Sequence, residues 1–296
     1  MKVLDAKTRI SLANILVATD FSAPAQVALA YAAAIARRYE SKLFVVHVLP
    51  SEIYPPPPAR VAAGSPQEQF AEKAMEELLA SPSLEGIPHQ GLFGQGEIWD
   101  ALADMIRRHE IDLVVTGTRG KKGLDKVILG SAAEEIFRLA PCPVLTVGPH
   151  AARRLSKEIG FHHILFPTDF SEPSLQAAPY AVSMAQENQA GITLLHVAEE
   201  RPAAALQQKL DVRTEAVRHL HALVPPEAEL WCEPEFLVRM GDVRHWILRV
   251  AADCAADLIV MGVKPVAAFS AHLPATTAYT IACEAHCPVL TVRGES

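Results

Sequence analysis

At 296 residues the chain is too long for most single cores and comfortable for two units of about 150 residues each. Half of it is hydrophobic, 21% is charged and the net charge is −7, the balance of an ordinary globular chain and a poor one for gripping duplex nucleic acid. No run approaches the roughly 20 apolar residues that cross a bilayer, since the longest mild stretch, "APAQVALAYAAAIA", contains Gln26 and ends at Arg37-Arg38. The opening "MKVLDAKTRI" has no apolar centre and carries Asp5, so it does not read as a signal peptide. Five cysteines without a pairing pattern suggest no disulfide framework, and a reducing cytoplasm is the expected location.

In chain order, "ANILVAT" reads as a buried parallel strand, and Ser22 with Pro24 as the start of an Ala-rich helix. "KLFVVHVL" is the next strand, followed by a connection containing the run Pro55 to Pro58, which reads as a stiff spacer, with a lid over a ligand or a partner motif as the alternative. Then come an amphipathic helix, "EIWDALADMIRRHE", the strand "IDLVVTGT", a glycine loop, the helix "SAAEEIFRLA" and the strand "PVLTV". The whole order then repeats. "ILVATDFSAPAQVALAYA" from Ile15 returns as "ILFPTDFSEPSLQAAPYA" from Ile164, pairing Asp20 with Asp169, Ser22 with Ser171, Tyr31 with Tyr180 and His47 with His196. After a shortened connection, Asp112 pairs with Asp257, Gly117 with Gly262, and "CPVLTV" with "CPVLTV". The expected organisation is therefore a domain over 1–149, a linker over 150–160 and a second domain over 161–296. Pro179 is expected to kink the second copy of the first helix. Strands alternating with helices predict an α/β fold with a parallel sheet, whose ligands sit beyond the carboxyl ends of the strands.

The stretch "GTRGKKGLDKVILGS", residues 117–131, follows a strand and opens a helix. Gly117 and Gly120 are expected to turn the backbone with positive φ and to present N–H groups without a Cβ in the way. Gly130 and Ser131 open the helix, whose first amides are unpaired and carry partial positive charge, a seat for phosphate. Arg119, Lys121, Lys122 and Lys126 raise the local potential. The loop alone reads equally well as a solvated surface turn, because Gly and Lys are common in turns. It is not a Walker A loop, since Ser131 directly follows Gly130, and "GQG" at 94–96 is not a dinucleotide fingerprint, since Trp99 stands at its third Gly position.

Gly117-x2-Gly120-x9-Gly130-Ser131, with "ILVATDFS", "VVHV", "GEIWDALADMI", "IDLVVTGTRG" and "CPVLTV" in order, resembles the ATP-binding members of the universal stress protein family. The resemblance covers nearly the whole chain in two copies. It implies two tandem Rossmann-like domains, each a mostly parallel five-stranded sheet flanked by helices. It also implies that Ala18, Thr19 and Asp20 lie beside adenosine, and that the backbone at Val46 and Val48 frames the adenine. Gly117, Arg119, Gly120, Gly130, Ser131 and the amide of Ala132 would hold ribose and phosphates. ATP with Mg²⁺ is the implied ligand, the ion being held largely by phosphate and water. The implied role is a nucleotide-responsive regulator in stress response. A slow ATPase or phosphotransferase and a nucleotide-free scaffold are the alternatives; no residue stands out as a base that would orient water, so no catalytic residue is assigned. Family members commonly dimerise through the last strand, so the two "PVLTV" strands are expected to meet within one chain as a pseudo-dimer. A homodimer of whole chains and a protein partner stay open.

The second copy departs from the pattern. Pro265 stands for Gly120, Ala275 for Gly130 and Thr276 for Ser131, and Lys264 alone remains of the basic cluster. One working nucleotide site, in the first half, is the expectation. His47 and His196 read as hydrogen-bonded strand residues rather than catalytic ones, because no nucleophile pairs with either. "CEAHC" at 283–287 has thiol and imidazole ligand types but no second pair to close a zinc site, so no metal site is assigned.

Overall fold

The computed structural model describes residues 10–49, 65–118, 129–151, 159–199, 206–226, 232–264 and 276–294. The first half runs β1 (Asn14–Ala18), α1 (Ala23–Tyr39), β2 (Lys42–Leu49), α2 (Pro66–Leu79), β3 (His89–Gln95), α3 (Ile98–Arg108), β4 (Leu113–Gly117), α4 (Ser131–Leu139) and β5 (Val144–Val147). The second half repeats it as β6 (His163–Pro167), α5 (Glu172–Asn188), β7 (Gly191–Ala198), α6 (Leu206–His221), β8 (Glu235–Met240), α7 (Val243–Asp253), β9 (Leu258–Val263), α8 (Thr277–Glu284) and β10 (Val289–Arg293). No helix among the described residues is long and apolar enough to cross a membrane.

All the strands join one ten-stranded sheet in the order β3-β2-β1-β4-β5-β10-β9-β6-β7-β8. Every pairing within a half is parallel, as βαβ crossovers require. The halves meet through β5 and β10, which pair antiparallel with Leu145 facing Leu290. The two "PVLTV" strands thus meet within one chain, and the sheet is continuous and mixed. The strand order reverses between β1 and β4 in the first half and between β6 and β9 in the second, and such a reversal opens a crevice at the carboxyl ends of the strands.

Alternation along the strands divides the core. Ile15 and Val17 face α1, and Leu16 faces α3. On the α1 side one apolar cluster spans both halves, joining Val17, Leu145, Phe166, Ala181 and Leu290. Rows of alanine on the helices (Ala28, Ala32 and Ala36; Ala177, Ala181 and Ala185) let α1 and α5 lie close to the sheet. The exchange across the seam is reciprocal. Tyr31 of the first half stacks on Phe161 at 6.3 Å, and its phenol is pushed up to about 12, first by burial and then by Cys287 and Asp257 of the second half. Tyr180 is likewise raised, first by burial and then by Asp112 and Cys142 of the first half. The Ile10 amide also donates to Ser183 Oγ at 3.1 Å.

The structure adds elements inside what the sequence offers only as a connection. α2 begins with a capping box in which Ser65 N donates to Glu68 Oε2 (2.6 Å) and Glu68 N to Ser65 Oγ (3.2 Å), a signature present in "SPQE". β3, "HQGLFGQ", is a half-exposed edge strand whose two glycines and polar residues hide it from an apolar-run reading. α5 runs unbroken through Pro179 from Glu172 to Asn188. The run 55–58 and most of the linker lie outside the described residues.

Phe166 is fully buried in the cluster that both halves share. Phe166→Ala should lower stability by about 3–5 kcal/mol. Denaturant unfolding followed by fluorescence and far-UV CD should still give one coincident transition, because neither half keeps that core alone.

Candidate functional site

The turn after β1 is built by its own side chains. Phe21 adopts a left-handed backbone with φ 60, and its N–H donates to Thr19 Oγ1 at 3.0 Å. Ser22 N donates to Asp20 Oδ1 at 3.0 Å, and Ser22 Oγ donates to the same oxygen. Ser22 is the N-cap of α1 by position, but its hydroxyl serves Asp20 and makes no cap hydrogen bond. Thr19 N donates to Val46 O at 2.8 Å, which ties the turn to β2. His47 secures the same junction, donating from Nδ1 to Thr19 O at 2.8 Å; a carbonyl only accepts, so Nδ1 carries the proton. The second half copies this lock through Thr168, Phe170 and His196, with His196 Nδ1 donating to Thr168 O at 2.9 Å.

Gly117 ends β4 against the start of α1. Its backbone is not in the left-handed region expected of it, and its role is close approach: a Cβ there would lie 2.5 Å from Pro24 O. Gly262 repeats the constraint, with a Cβ 2.3 Å from the Pro173 carbonyl. This glycine is therefore kept in both halves for packing. Gly130 differs. It is the N-cap of α4, its φ of −63 suits any residue, and a Cβ there would meet nothing within 4 Å. No side chain caps α4. Its first residues, Gly130, Ser131 and Ala132, border open space instead.

That space is a cleft of about 610 Å³ at the β1/β4 switch point. Ala18, Thr19, Asp20, Val46, Val48, Gly117, Gly130, Ser131 and Ala132 all line it; Arg119 and Gly120, with Lys121, Lys122 and Lys126, lie outside the described residues. The sequence reading missed the apolar wall of Ile98, Leu102 and Ile136 and the hydroxyl of Thr116. Ile98 and Leu102 stand one turn apart on an amphipathic helix, so the period was visible, but the direction it faces was not. The result is an apolar floor with Asp20, Ser22 and Ser131 at the polar margin and a bare helix start on one side. Such a cleft suits a flat body with an anionic tail.

The second half has the same frame with different contents. α8 starts at Thr277 and is capped by Thr276, whose Oγ1 accepts from Tyr279 N at 3.2 Å. Pro167, Leu195 and Met261, all buried, stand where the first half has Ala18, Val46 and Thr116, and each is bulkier. Ser174 replaces Ala25 and donates to Asp169 Oδ1 at 2.6 Å, beside Ser171 N at 3.0 Å and Ser171 Oγ at 2.5 Å. Burial works to raise the Asp169 carboxyl, but the hydrogen bonds from Ser171 and Ser174 outweigh it and hold it below its ordinary 3.8.

Other titratable groups stand away from this chemistry. Asp112 and Asp257 clamp the amino ends of the strands, accepting from Asn14 N (2.9 Å) and from His162 N (2.7 Å) and His163 N (3.2 Å). Burial pushes the thiols of Cys142 to about 12 and of Cys232 and Cys283 to about 11, so none is a thiolate nucleophile at neutral pH.

The profile of the Universal stress protein family matches residues 12–148 and again 160–293. A protein of Staphylococcus aureus (strain USA300) that carries the universal stress protein name is 31% identical over 144 residues, 47% of this chain and 85% of its own length. The crystal structure of a universal stress protein from Archaeoglobus fulgidus DSM 4304 superposes with a TM-score of 0.72 at 18% identity, covering 96% of this chain and 99% of that one. A functionally unknown protein from Pseudomonas aeruginosa PAO1 gives a TM-score of 0.63 at 19% identity, over 98% and 95% of the two chains.

Two outcomes follow from the packing. Gly117→Ala forces a methyl group against the Pro24 carbonyl and should cost about 1–3 kcal/mol in chemical denaturation. Asp169 has a folded pKa below its unfolded one, so its stabilisation is full above about pH 5 and disappears as the pH falls through the depressed value. Ser174→Ala removes one of three donors and narrows the gap between the two values. Its stability should therefore fall less than that of the parent between about pH 5 and about pH 2.

Proposed function

This chain belongs to the universal stress protein family, and from that premise we propose that its first half is a receptor for ATP while its second half has become a filled, ligand-free counterpart. Membership of the family supports a role in stress response. The observation that carries the nucleotide reading is the contrast between two equivalent helix starts. α4 begins at Gly130 with no side-chain cap and open space above it, whereas α8 caps itself through Thr276. A bare helix start beside an apolar cleft attracts a phosphate; a satisfied one has less to offer.

In this reading the amides at Ser131 and Ala132 and the Ser131 hydroxyl take the phosphates. Val46, Leu102 and Ile136 cover the faces of the adenine. Asp20, at the polar margin, faces the sugar. The carboxylate among the described lining residues is Asp20, which already accepts two hydrogen bonds from Ser22. That donor set fits Mg²⁺ carried in by phosphate oxygens and water rather than gripped by a protein cage. Mg²⁺ would supply charge neutralisation for the triphosphate. The function is binding and response: beside Asp20 the described lining carries one further acid–base side chain, His47, whose Nδ1 is engaged with Thr19 O in holding the turn after β1.

Calorimetric titration of the full chain with ATP and Mg²⁺ is the test, with one site per chain expected. Gly130→Ala places a methyl group where a phosphate would approach. It should weaken binding at least about ten-fold, ~1.4 kcal/mol, while stability stays within about 1 kcal/mol of the parent. Two equivalent sites, or no heat of binding, would overturn the reading.

A further inference from the structure

We propose that α4 is a strut that transmits the ligand state of the first-half cleft into the second half; this rests on the cleft being a nucleotide site. α4 has nine residues and so is about 13 Å long. Its start, Gly130 to Ala132, borders the cleft, and Ile136 packs in the first half's own cluster. Its other side belongs to the second half. Ala133 and Phe137, with Leu129 just before the helix, pack among Ile281, Ala282 and Val289. The Phe137 ring stands edge-on to Tyr279 at 6.1 Å and 89°.

The far end of α4 is tied to the second half as well. Arg293, at the end of β10, donates from Nη2 to Phe137 O at 3.4 Å and also to Arg138 O. A cation at the negative end of a helix is stabilising, and here the cation comes from the other repeat. The arrangement has a direction. The residue equivalent to Arg293 in the first half is Gly148, where a Cβ would lie 3.0 Å from Ala282 O, so that position supplies no side-chain cation to the end of α8. α8 is also closed at its start by Thr276. α4 alone of this pair has one end open to a ligand and the other held by the opposite half.

Close-packed contacts have few intermediate positions, so a short helix drawn toward an anion moves or stiffens what is packed along it. Tyr279, Ile281 and Arg293 are those partners. Linkage then requires the reverse: loosening these contacts must change nucleotide affinity by the same factor, although none of the three lines the cleft.

Hydrogen exchange of the full chain, with and without saturating ATP and Mg²⁺, tests this alongside calorimetry of Arg293→Met and Tyr279→Leu. Slower exchange is expected in 129–139 and, beyond it, in 277–284 and 289–293. Each variant should keep the first signal at saturation, lose the second, and bind ATP about five-fold more weakly. Protection of 129–139 with 277–284 and 289–293 unchanged would sink the strut and leave the nucleotide site standing. Wild-type affinity in a folded variant would also sink it. Absence of protection everywhere would remove the nucleotide reading and the strut together. If one variant does not fold by CD, the other and the parent protein's exchange still decide.

Discussion

The antiparallel pairing of β5 with β10 is the contact on which the rest depends. Leu145 facing Leu290, both buried, turns two similar five-stranded sheets into one. Once the strands are joined, the α1 side of the sheet can carry a single apolar cluster from Leu12 to Val292. Tyr31 and Tyr180 are each buried at the seam, and each phenol is raised first by that burial and then by ionisable groups of the other half. A duplication alone would not require this. Two copies on a tether could remain separate beads, and it is the shared strand edge, with main-chain hydrogen bonds that neither copy can satisfy alone, that makes them one body.

Within that near-symmetric body, small substitutions separate the halves. The lock at the end of β1 is the same in both, and so is the glycine pressed against the start of the next helix. Those features hold the frame. The differences lie at the helix start and the floor of the cleft: Gly130 and Ser131 against a self-capping Thr276, and Ala18, Val46 and Thr116 against Pro167, Leu195 and Met261. One half has a helix start without a side-chain cap beside an open cleft. The other caps its helix with Thr276 and sets bulkier side chains at the equivalent positions. The first set serves the frame in both copies, and the second set is where the two copies differ in chemistry.

Much of this was legible before folding. Apolar runs bounded by turn residues gave the strands that are buried on both faces, and the repeat of "CPVLTV" gave the partner strands at the seam. β3 and β8 escaped because an edge strand is half solvated and tolerates glycine and polar residues. The glycines show the limit of local reasoning. Gly117 looked like a turn residue, yet it is a contact with Pro24, a constraint written in two distant stretches of sequence. Ser22 and Ser171 looked like helix caps, yet each gives its hydroxyl to the aspartate two residues earlier.

What the sequence determined by itself is the internal copy, the alternating α/β order, and the two residues, Gly130 and Ser131, that leave a helix without a cap. These are local properties of period and side-chain chemistry. Only the tertiary structure decided that Ile98, Leu102 and Ile136 close one cleft, and that Phe137 is buried by the opposite half and the end of α4 is held by Arg293. Period fixes which face of a helix seeks cover. The identity of the cover depends on chain segments far apart in sequence, and those meet only when the sheet is assembled.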